Sequence, residues 1–280
     1  MTEKIEKIIK DIGFLARQDS HSVGSLDVST KTKALESAAE NLLSNKDLIL
    51  EENEKDVEQH KSKLTSALLD RLILDEKRIN SMCEGIIKIS QLDDPVGKII
   101  DDWDRPNGLR IQKVSVPLGV IGVIYESRPN VAADAAALCL KSGNTLILRG
   151  GTESFNSSSM IVKVIKESYE KLGIRPGALQ NIPTTDRLAV GCLLKMDDYV
   201  DVIIPRGGKS LIERVSRESR VHVIKHLDGI CHTYIEKSAN KEISSNISFN
   251  AKMRRPGICG ATETILCDKE IISSHLPDII

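Results

Sequence analysis

Residues 250–262, NAKMRRPGICGAT, place a cysteine in a setting unlike that of the usual buried thiol. Cys259 follows Arg254 and Arg255 and directly precedes Gly260. Nearby cations favour the reactive thiolate and attract an anionic substrate, while glycines let a ligand approach the backbone. This setting fits a covalent nucleophile, and it also fits a structural thiol or a regulatory redox site.

The other cysteines show no such setting. No two of the six cysteines form a CxxC pair, and the six histidines offer no zinc-like spacing with them, so we predict no metal site. Cys139 and Cys192 lie in apolar, helix-like segments and are interpreted as core positions. Thiols scattered along the chain are typical of a reducing compartment.

A polar loop, YESRPN at residues 125–130, follows an apolar run and opens a helix-like segment. Arg128 could contact an anionic group there. The amide of Asn130 could donate to a developing oxyanion, or Asn130 could serve only as the N-cap of the helix.

A second loop, RGGTES at residues 149–154, lies between a predicted strand and the next helix. Gly150 and Gly151 would allow a ligand to approach the backbone closely. Arg149 could bind a phosphate or pair with Glu153.

A third loop lies in the segment IIPRGGKSLIERV, residues 203–215, where an apolar strand enters a helix through two glycines. The free amides and the dipole of a helix start attract negative charge. A P-loop needs a glycine where this chain has Ile203, and the chain contains no GxGxxG, so a dinucleotide bound here would lack the usual fingerprint. The predicted anion site consists of Arg206, Gly207, Gly208 and Lys209.

These loops must be positioned by the strands and helices that alternate from residue 119 onward. Continuous apolar strands between helices indicate a parallel sheet that is covered on both faces, with ligands at the carboxyl ends of the strands. The sequence therefore predicts a doubly wound α/β domain. Its predicted strands are 119–125, 145–149, 178–182, 199–205 and 221–225, and its predicted helices are 130–141, 153–171, 184–195 and 209–218.

The first 95 residues have a helical pattern instead. Apolar positions repeat at helical spacing over 34–43, 46–60 and 64–90, with Lys and Glu on the outer faces. The turn signal Pro106-Asn107-Gly108 predicts a β-hairpin arm over about 101–116.

Composition argues against several functional classes. The net charge is −1, with 39 basic against 40 acidic residues, and only 3% of residues are aromatic, so we predict no nucleic-acid partner. The amino terminus has no apolar signal core, and no apolar stretch is long enough to span a bilayer. We therefore expect a soluble, cytoplasmic protein without a membrane partner.

Several long motifs resemble the gamma-glutamyl phosphate reductase family, also called glutamate-5-semialdehyde dehydrogenases, within the aldehyde dehydrogenase superfamily. The resemblance extends to about residue 270 and is densest over 114–267. The motifs, in chain order, are VPLGVIGVIYESRPNVAADAAALCLKSGNTLILRGG, VIIPRGGKSLIERV, VIKHLDGICHTY and NAKMRRPGICGATETIL.

The resemblance implies NADPH-dependent reduction of L-glutamyl 5-phosphate to L-glutamate 5-semialdehyde and phosphate in proline biosynthesis. Cys259 matches the family's catalytic cysteine, whose thiolate attacks the acyl phosphate and leaves a thioester for reduction by hydride. Asn130 resembles the superfamily's oxyanion asparagine. The substrate-binding residues are then Arg128, Arg254 and Arg255, and the cofactor-side residues are Arg149, Gly150, Gly151, Arg206, Gly207, Gly208 and Lys209.

His226 falls where many aldehyde dehydrogenases have a glutamate that activates water to hydrolyse the thioester. A reductase acting on an acyl phosphate has no hydrolytic step, so the loss of this base fits the implied reaction. The preference for NADPH over NADH stays open, because Glu153 would repel a 2′-phosphate while Arg149 or Lys209 could offset it.

Family members continue well beyond the 21 residues that follow Cys259 (280 − 259). We therefore expect residues 1–230 to form the N-terminal helices and the dinucleotide-binding domain, and 231–280 the start of a truncated catalytic domain. Such a chain should expose apolar surface and unpaired strand edges, with poor stability and weak or absent activity.

The alternatives are a dehydrogenase with another substrate and a truncated, inactive family member that acts as a fragment or interaction protein. The partners implied by the resemblance are a small-molecule substrate, glutamate 5-kinase as a pathway partner and, at full length, further copies of the chain in a homo-oligomer.

Overall fold

The computed structural model describes residues 2–225, 229–256 and 258–280. The chain forms two compact units, Met1–Lys225 and His226–Ile280. Across the described residues, no helix combines the length and the apolar character needed to cross a membrane.

Over residues 2–90 the first unit forms five helices, and side-chain caps mark the starts of the second and the fifth. The side chain of Asp27 accepts from the amide of Thr30, and that of Asp75 accepts from the amide of Arg78, so both act as N-caps. The cap at Asp75 divides the helical pattern predicted over 64–90 into two helices. The five helices are α1 (Thr2–Gly24), α2 (Val28–Ser44), α3 (Lys46–His60), α4 (Ser66–Leu72) and α5 (Glu76–Ser90).

An antiparallel hairpin follows, formed by β1 (Ile99–Asp104) and β2 (Arg110–Val114). Gly108 turns the chain with a φ of 85°, and the amide of Arg105 donates to the carbonyl of Leu109 at 2.8 Å. Every residue of both strands is exposed. The predicted arm is therefore present as a two-stranded ribbon.

The centre of the first unit is a five-stranded parallel sheet with the order β5-β4-β3-β6-β7. Strand order reverses between β3 and β6, which is the position where such sheets bind ligands. The strands are β3 (Val120–Tyr125), β4 (Thr145–Arg149), β5 (Leu179–Asn181), β6 (Val202–Arg206) and β7 (His222–Val223). The connecting helices are α6 (Asn130–Lys141), α7 (Phe155–Lys171), α8 (Arg187–Leu193) and α9 (Lys209–Glu218).

Both faces of this sheet are covered, as the continuous apolar strands predict. Side chains alternate along a strand, so Ile121 and Val123 of β3 join one core cluster while Val120 and Ile124 join the other. The first cluster includes residues of α2, α5, α6 and α7, and the second includes residues of α1 and α8. The α/β fold of the first unit is thus a doubly wound sheet.

The second unit contains a β-α-β element. Strands β8 (Cys231–Ile235) and β9 (Thr262–Cys267) are parallel, with α10 (Lys241–Met253) between them in the chain. The amino ends of the two strands therefore lie at the same edge of the pair. A short helix, α11 (Ile272–His275), and one 3₁₀ turn (Leu276–Asp278) follow.

Candidate active site

The three polar loops of the first unit follow the neighbouring strands β3, β4 and β6, so they meet at the carboxyl edge of the sheet. A Cβ on Gly151 would lie 3.3 Å from the Cα of Glu126 and 3.3 Å from the amide nitrogen of Ser127. Ser127 is buried and has a φ of 46°, in the left-handed region that non-glycine residues rarely adopt. The structure thus packs the first two loops tightly together.

The carboxylate of Glu126 lies at the amino end of α9. The amide of Gly208, the N-cap of α9, donates to Oε2 of Glu126 at 2.8 Å. A Cβ on Gly207 would lie 2.5 Å from the same oxygen, so this carboxylate explains the glycine. Sequence reasoning predicted this helix start as an anion site but did not identify the chain's own carboxylate as an anion bound there.

Arg149, at the end of β4, is a buried cation held by backbone carbonyls. Its two terminal nitrogens donate to the carbonyls of Gly150 and Thr185, both at 2.9 Å, while its Nε is buried without a partner. Burial lowers the pKa of Arg149 below its usual value, and Glu153 opposes this effect. Within the described chain Arg149 forms no salt bridge with Glu153. Its unpartnered Nε remains a hydrogen-bond donor that a ligand could use.

Asn130 is the first residue of α6 and not its N-cap, because Pro129 has the N-cap position and no side chain caps this helix. The side-chain amide of Asn130 donates from Nδ2 to Oδ2 of Asp134 at 3.1 Å, one helical turn along. Burial raises the pKa of Asp134, and the hydrogen bond from Asn130 opposes that shift. Asp134 therefore orients the amide that was predicted to act as an oxyanion donor.

The remaining predicted residues of the first unit lie at the same edge of the sheet. Arg128 is half-buried, while Arg206 and Lys209 are exposed. The carbonyl of Arg206 accepts from the amide of Glu126 at 3.2 Å, which ties the end of β6 to the end of β3. The structure thus brings the cofactor-side residues together around the reversal of strand order.

Cys259 is exposed in the second unit, in the turn between α10 and β9. The amide of Ile258 donates to the carbonyl of Arg255 at 3.2 Å, and the amide of Ala261 donates to the carbonyl of Ile258 at 3.1 Å. The amides of Cys259 and Gly260 lie between these two bonded amides. Cys259 therefore lies at the amino edge of the β8–β9 pair, whereas the ligand loops of the first unit lie at a carboxyl edge.

Two neighbours fix the backbone of Cys259. The thiol of Cys231 donates from Sγ to the carbonyl oxygen of Cys259 at 3.3 Å. A Cβ on Gly229 would lie 2.3 Å from that carbonyl oxygen, so a side chain at this position would displace the turn. Sequence reasoning identified neither neighbour, although Gly229 and Cys231 both lie in the motif VIKHLDGICHTY.

The cations near Cys259 differ in their surroundings. Lys252 pairs with Glu263, with 3.5 Å between Nζ and Oε2, so its charge is partly neutralised. Arg254 and Arg255 are exposed, and among the residues with described positions neither forms a salt bridge. Gly257 and His226 lie outside the described residues, so the role predicted for His226 stays a prediction.

Residues 3–279 match the model of the aldehyde dehydrogenase family. The chain is 50% identical over 277 residues to a gamma-glutamyl phosphate reductase of Paramagnetospirillum magneticum, covering 99% of this chain and 66% of that protein. It is 51% identical over 280 residues to one of Rhodospirillum rubrum, covering 100% and 66%. The chain thus spans about two thirds of the length of these relatives.

Two solved structures of gamma-glutamyl phosphate reductases are also similar to this chain. The crystal structure of a gamma-glutamyl phosphate reductase from Thermotoga maritima matches with a TM-score of 0.88 and 38% identity, over 97% of this chain and 66% of that one. A gamma-glutamyl phosphate reductase from Saccharomyces cerevisiae matches with a TM-score of 0.73 and 31% identity, over 97% and 69%.

Proposed function

Because the chain belongs to the aldehyde dehydrogenase family, we propose that its protein reduces L-glutamyl 5-phosphate to L-glutamate 5-semialdehyde and phosphate, using NADPH, in proline biosynthesis. The relatives that support this proposal are named gamma-glutamyl phosphate reductases. The observation that carries it is the exposed thiol of Cys259 beside two arginines, Arg254 and Arg255, that form no salt bridge in the described chain.

The thiolate of Cys259 attacks the acyl carbon of the substrate, the bond to the phosphate oxygen breaks, and a thioester forms. Arg254 and Arg255 stabilise the charge of the leaving phosphate. The amides of Cys259 and Gly260 donate to the oxyanion, and Asn130 keeps the role of oxyanion donor that its resemblance to the superfamily's asparagine implies. The first step therefore needs a nucleophile and hydrogen-bond donors, and it needs no general base for water.

The residues at the carboxyl edge of the first sheet fit a phosphate-bearing dinucleotide. The buried, unpartnered Nε of Arg149 is a donor without an acceptor, and a polar ligand would satisfy it. NADPH, when bound, supplies the hydride that reduces the thioester. The residues that would hold it are Arg149, Gly150, Gly151, Arg206, Gly207, Gly208 and Lys209.

Charged groups around Arg149 act on the choice between NADPH and NADH. Arg187 and Arg214 both act electrostatically on Arg149, lowering its pKa after the larger effect of burial. Three guanidinium groups within electrostatic range create positive potential for a 2′-phosphate. Glu153 and Glu126 oppose this potential, so the preference depends on the balance of these groups.

The location and partners follow from the same proposal. The free thiols fit a reducing compartment, so we place the protein in the cytoplasm. The enzyme that supplies its acyl phosphate, glutamate 5-kinase, is its pathway partner. The exposed apolar side chains of the hairpin, such as Ile100 and Leu109, fit an assembly of several copies.

The test expresses the gene that encodes this chain in a proline-requiring strain that lacks its own gamma-glutamyl phosphate reductase. Growth without proline should be restored by the wild type and by Cys267→Ser, a half-buried cysteine of β9, and not by Cys259→Ser. With the purified proteins, phosphate-dependent reduction of NADP⁺ by glutamate semialdehyde should fall at least about 10³-fold in Cys259→Ser and run more slowly with NAD⁺. Activity retained in Cys259→Ser removes this mechanism, and a folded wild type without activity supports the alternative of an inactive relative.

A further inference from the structure

We propose that Cys231 and Cys259 form a peroxide-sensitive thiol pair, in which Cys231 converts oxidised Cys259 into a reversible disulfide. This site goes beyond the proposed reduction, because it depends on the reactivity of one thiol and the position of another, and not on turnover. It would protect an exposed nucleophile from irreversible oxidation.

The β-α-β element of the second unit brings the two cysteines together. Cys231 begins β8, and its register partner on the parallel strand β9 is Thr262, three residues after Cys259. The contact itself is short, because Sγ of Cys231 lies 3.3 Å from the carbonyl oxygen of Cys259. A sulfur that touches the backbone of another cysteine is within side-chain reach of its thiol.

The turn that carries Cys259 leaves room for the thiol to move. A Cβ on Gly260 would meet no atom within 4 Å, so the space next to Cys259 is open. The ladder between β8 and β9 is also irregular between Cys231 and His232. A disulfide needs Cα atoms about 5–6 Å apart, so its formation requires the exposed turn to bring Cys259 to this distance from Cys231.

Exposure determines which thiol is oxidised first. Cys259 is exposed and Cys231 is half-buried, so a dissolved oxidant reaches Cys259 before its neighbour. The buried thiols of the first unit are poor competitors, since burial raises the pKa of Cys83 to about 11 and that of Cys139 to about 12. Cys267 lies at the opposite end of β9 from Thr262, roughly 16 Å along the strand, which is beyond disulfide reach of Cys231.

The oxidant is hydrogen peroxide. The thiolate of Cys259 attacks one peroxide oxygen, the O–O bond breaks, and a sulfenic acid and a hydroxide ion form; the hydroxide takes up the proton lost by the thiol and becomes water. The sulfur of Cys231 then attacks the sulfenic sulfur. An S–S bond forms, and the sulfenic oxygen leaves as a second water with the proton of Cys231. The two thiols lose two electrons and the peroxide gains them, and a dithiol reductant reverses the change.

The experiment treats the whole chain with a small excess of hydrogen peroxide, blocks the free thiols with iodoacetamide and identifies peptides by mass spectrometry. The expected product joins the peptides of Cys231 and Cys259 with the loss of two hydrogen atoms, and dithiothreitol removes the link. In Cys231→Ser, Cys259 should proceed to the sulfinic acid, which dithiothreitol does not reverse. The matched control, Cys267→Ser, should give the same crosslink as the wild type.

The proposal is overturned if wild-type Cys259 becomes sulfinic without a Cys231–Cys259 peptide, or if Cys259 pairs with Cys267 in equal yield. If Cys231→Ser does not fold, as judged by circular dichroism, the crosslink in the wild type decides alone. Because the readout is a mass, a failed activity test leaves this result intact, and the absence of the crosslink leaves the proposed function intact.

Discussion

Gly229 is a neighbour of the Cys259 backbone in space and Gly260 is its neighbour in the chain, and the two differ in what a side chain would meet. A Cβ on Gly229 would lie 2.3 Å from the carbonyl oxygen of Cys259, which is too close for any real contact. A Cβ on Gly260 would meet open space. The turn therefore depends on one of these glycines and tolerates a methyl group at the other.

We expect Gly229→Ala to displace Cys259 and to lower kcat/KM for semialdehyde oxidation by about 10²-fold, since an error of this size disturbs the geometry of attack. The rate of Cys259 alkylation by iodoacetamide should change as well, whether or not the chain turns over substrate. Gly260→Ala, whose added methyl group meets no protein atom within 4 Å, is the control for the geometry of the turn and should change the alkylation rate less than about threefold. Equal effects of the two substitutions would contradict this account.

At the scale of single residues, the sequence alone singles out Cys259 and its two arginines as a candidate site, because their neighbours along the chain suggest the chemistry, and this assignment stays a prediction. It does not reveal Glu126 as the partner of Gly208, since 82 positions separate the two residues and only the sheet brings them together. The same limit applies to Asn130. Its place next to a proline suggests a cap, while its hydrogen bond to Asp134 appears only once the helix start is known.

Among the elements, helix α7 depends on a carboxylate from a different helix. Asp56 of α3 accepts four hydrogen bonds at the amino end of α7, from the amides and side chains of Asn156 and Ser157. Its side chain is completely buried. One residue thus satisfies helix-start amides that lack partners within α7 and joins the N-terminal helices to the sheet.

We expect Asp56→Asn to lower the free energy of unfolding by about 2 kcal/mol, because one carboxylate oxygen would become an amide nitrogen that faces two donors. Burial is the largest effect on Asp56 and raises its pKa above 3.8, while the hydrogen bonds from Ser157 and Asn156 lower it. A raised pKa means that the folded chain binds the proton more tightly than the unfolded one. The contribution of Asp56 to stability is therefore full below pH 3.8 and decreases as the pH rises above it.

Urea unfolding between about pH 2.5 and about pH 7 measures this dependence, and the difference between wild type and Asp56→Asn should be largest at the acid end. Asp27, the exposed cap of α2, is the control with the opposite sign. Hydrogen bonds from Thr30 lower its pKa, so its contribution is present above pH 3.8 and is lost as the pH falls. If the difference in unfolding free energy between wild type and Asp56→Asn grew with pH, burial would not be the dominant effect on the pKa of Asp56.

Helices and strands were predictable where one signal dominates. The alanine-rich run over 130–141 and the strand at 145–149 have the predicted bounds, because a glycine with a φ of 72° separates them. The helical pattern over 64–90 contains two helices, α4 and α5. The periodicity continues across the break between them, and only the cap at Asp75 marks where the second helix begins. Periodicity shows which residues are buried, and caps show where a helix starts.

Over the whole molecule, the two units differ in the size of their cores. The strand β3 of the first unit is buried along its full length, whereas β9 of the second unit has one buried residue, Thr262. Over residues 229–256 and 258–280, Ile235 and Ala261 are the buried apolar side chains. Few buried apolar contacts mean a low free energy of local opening.

We expect hydrogen exchange at the amides of β8 and β9 to be at least about tenfold faster than at those of β3 and β4 in the same sample. Both pairs are parallel strands, so the comparison matches the type of secondary structure and varies the burial. Mass spectrometry of peptides from the two regions gives both rates at once. Equal protection of the two regions would show that burial within the second unit does not set its stability.

The hairpin also determines what an optical measurement of this protein reports. The chain contains a single tryptophan, Trp103, which lies on the exposed strand β1. Emission excited at the indole band is therefore a local signal from the hairpin. Anything that covers the ribbon would change this emission without unfolding the chain, so Trp103 is a built-in probe for contacts of the arm.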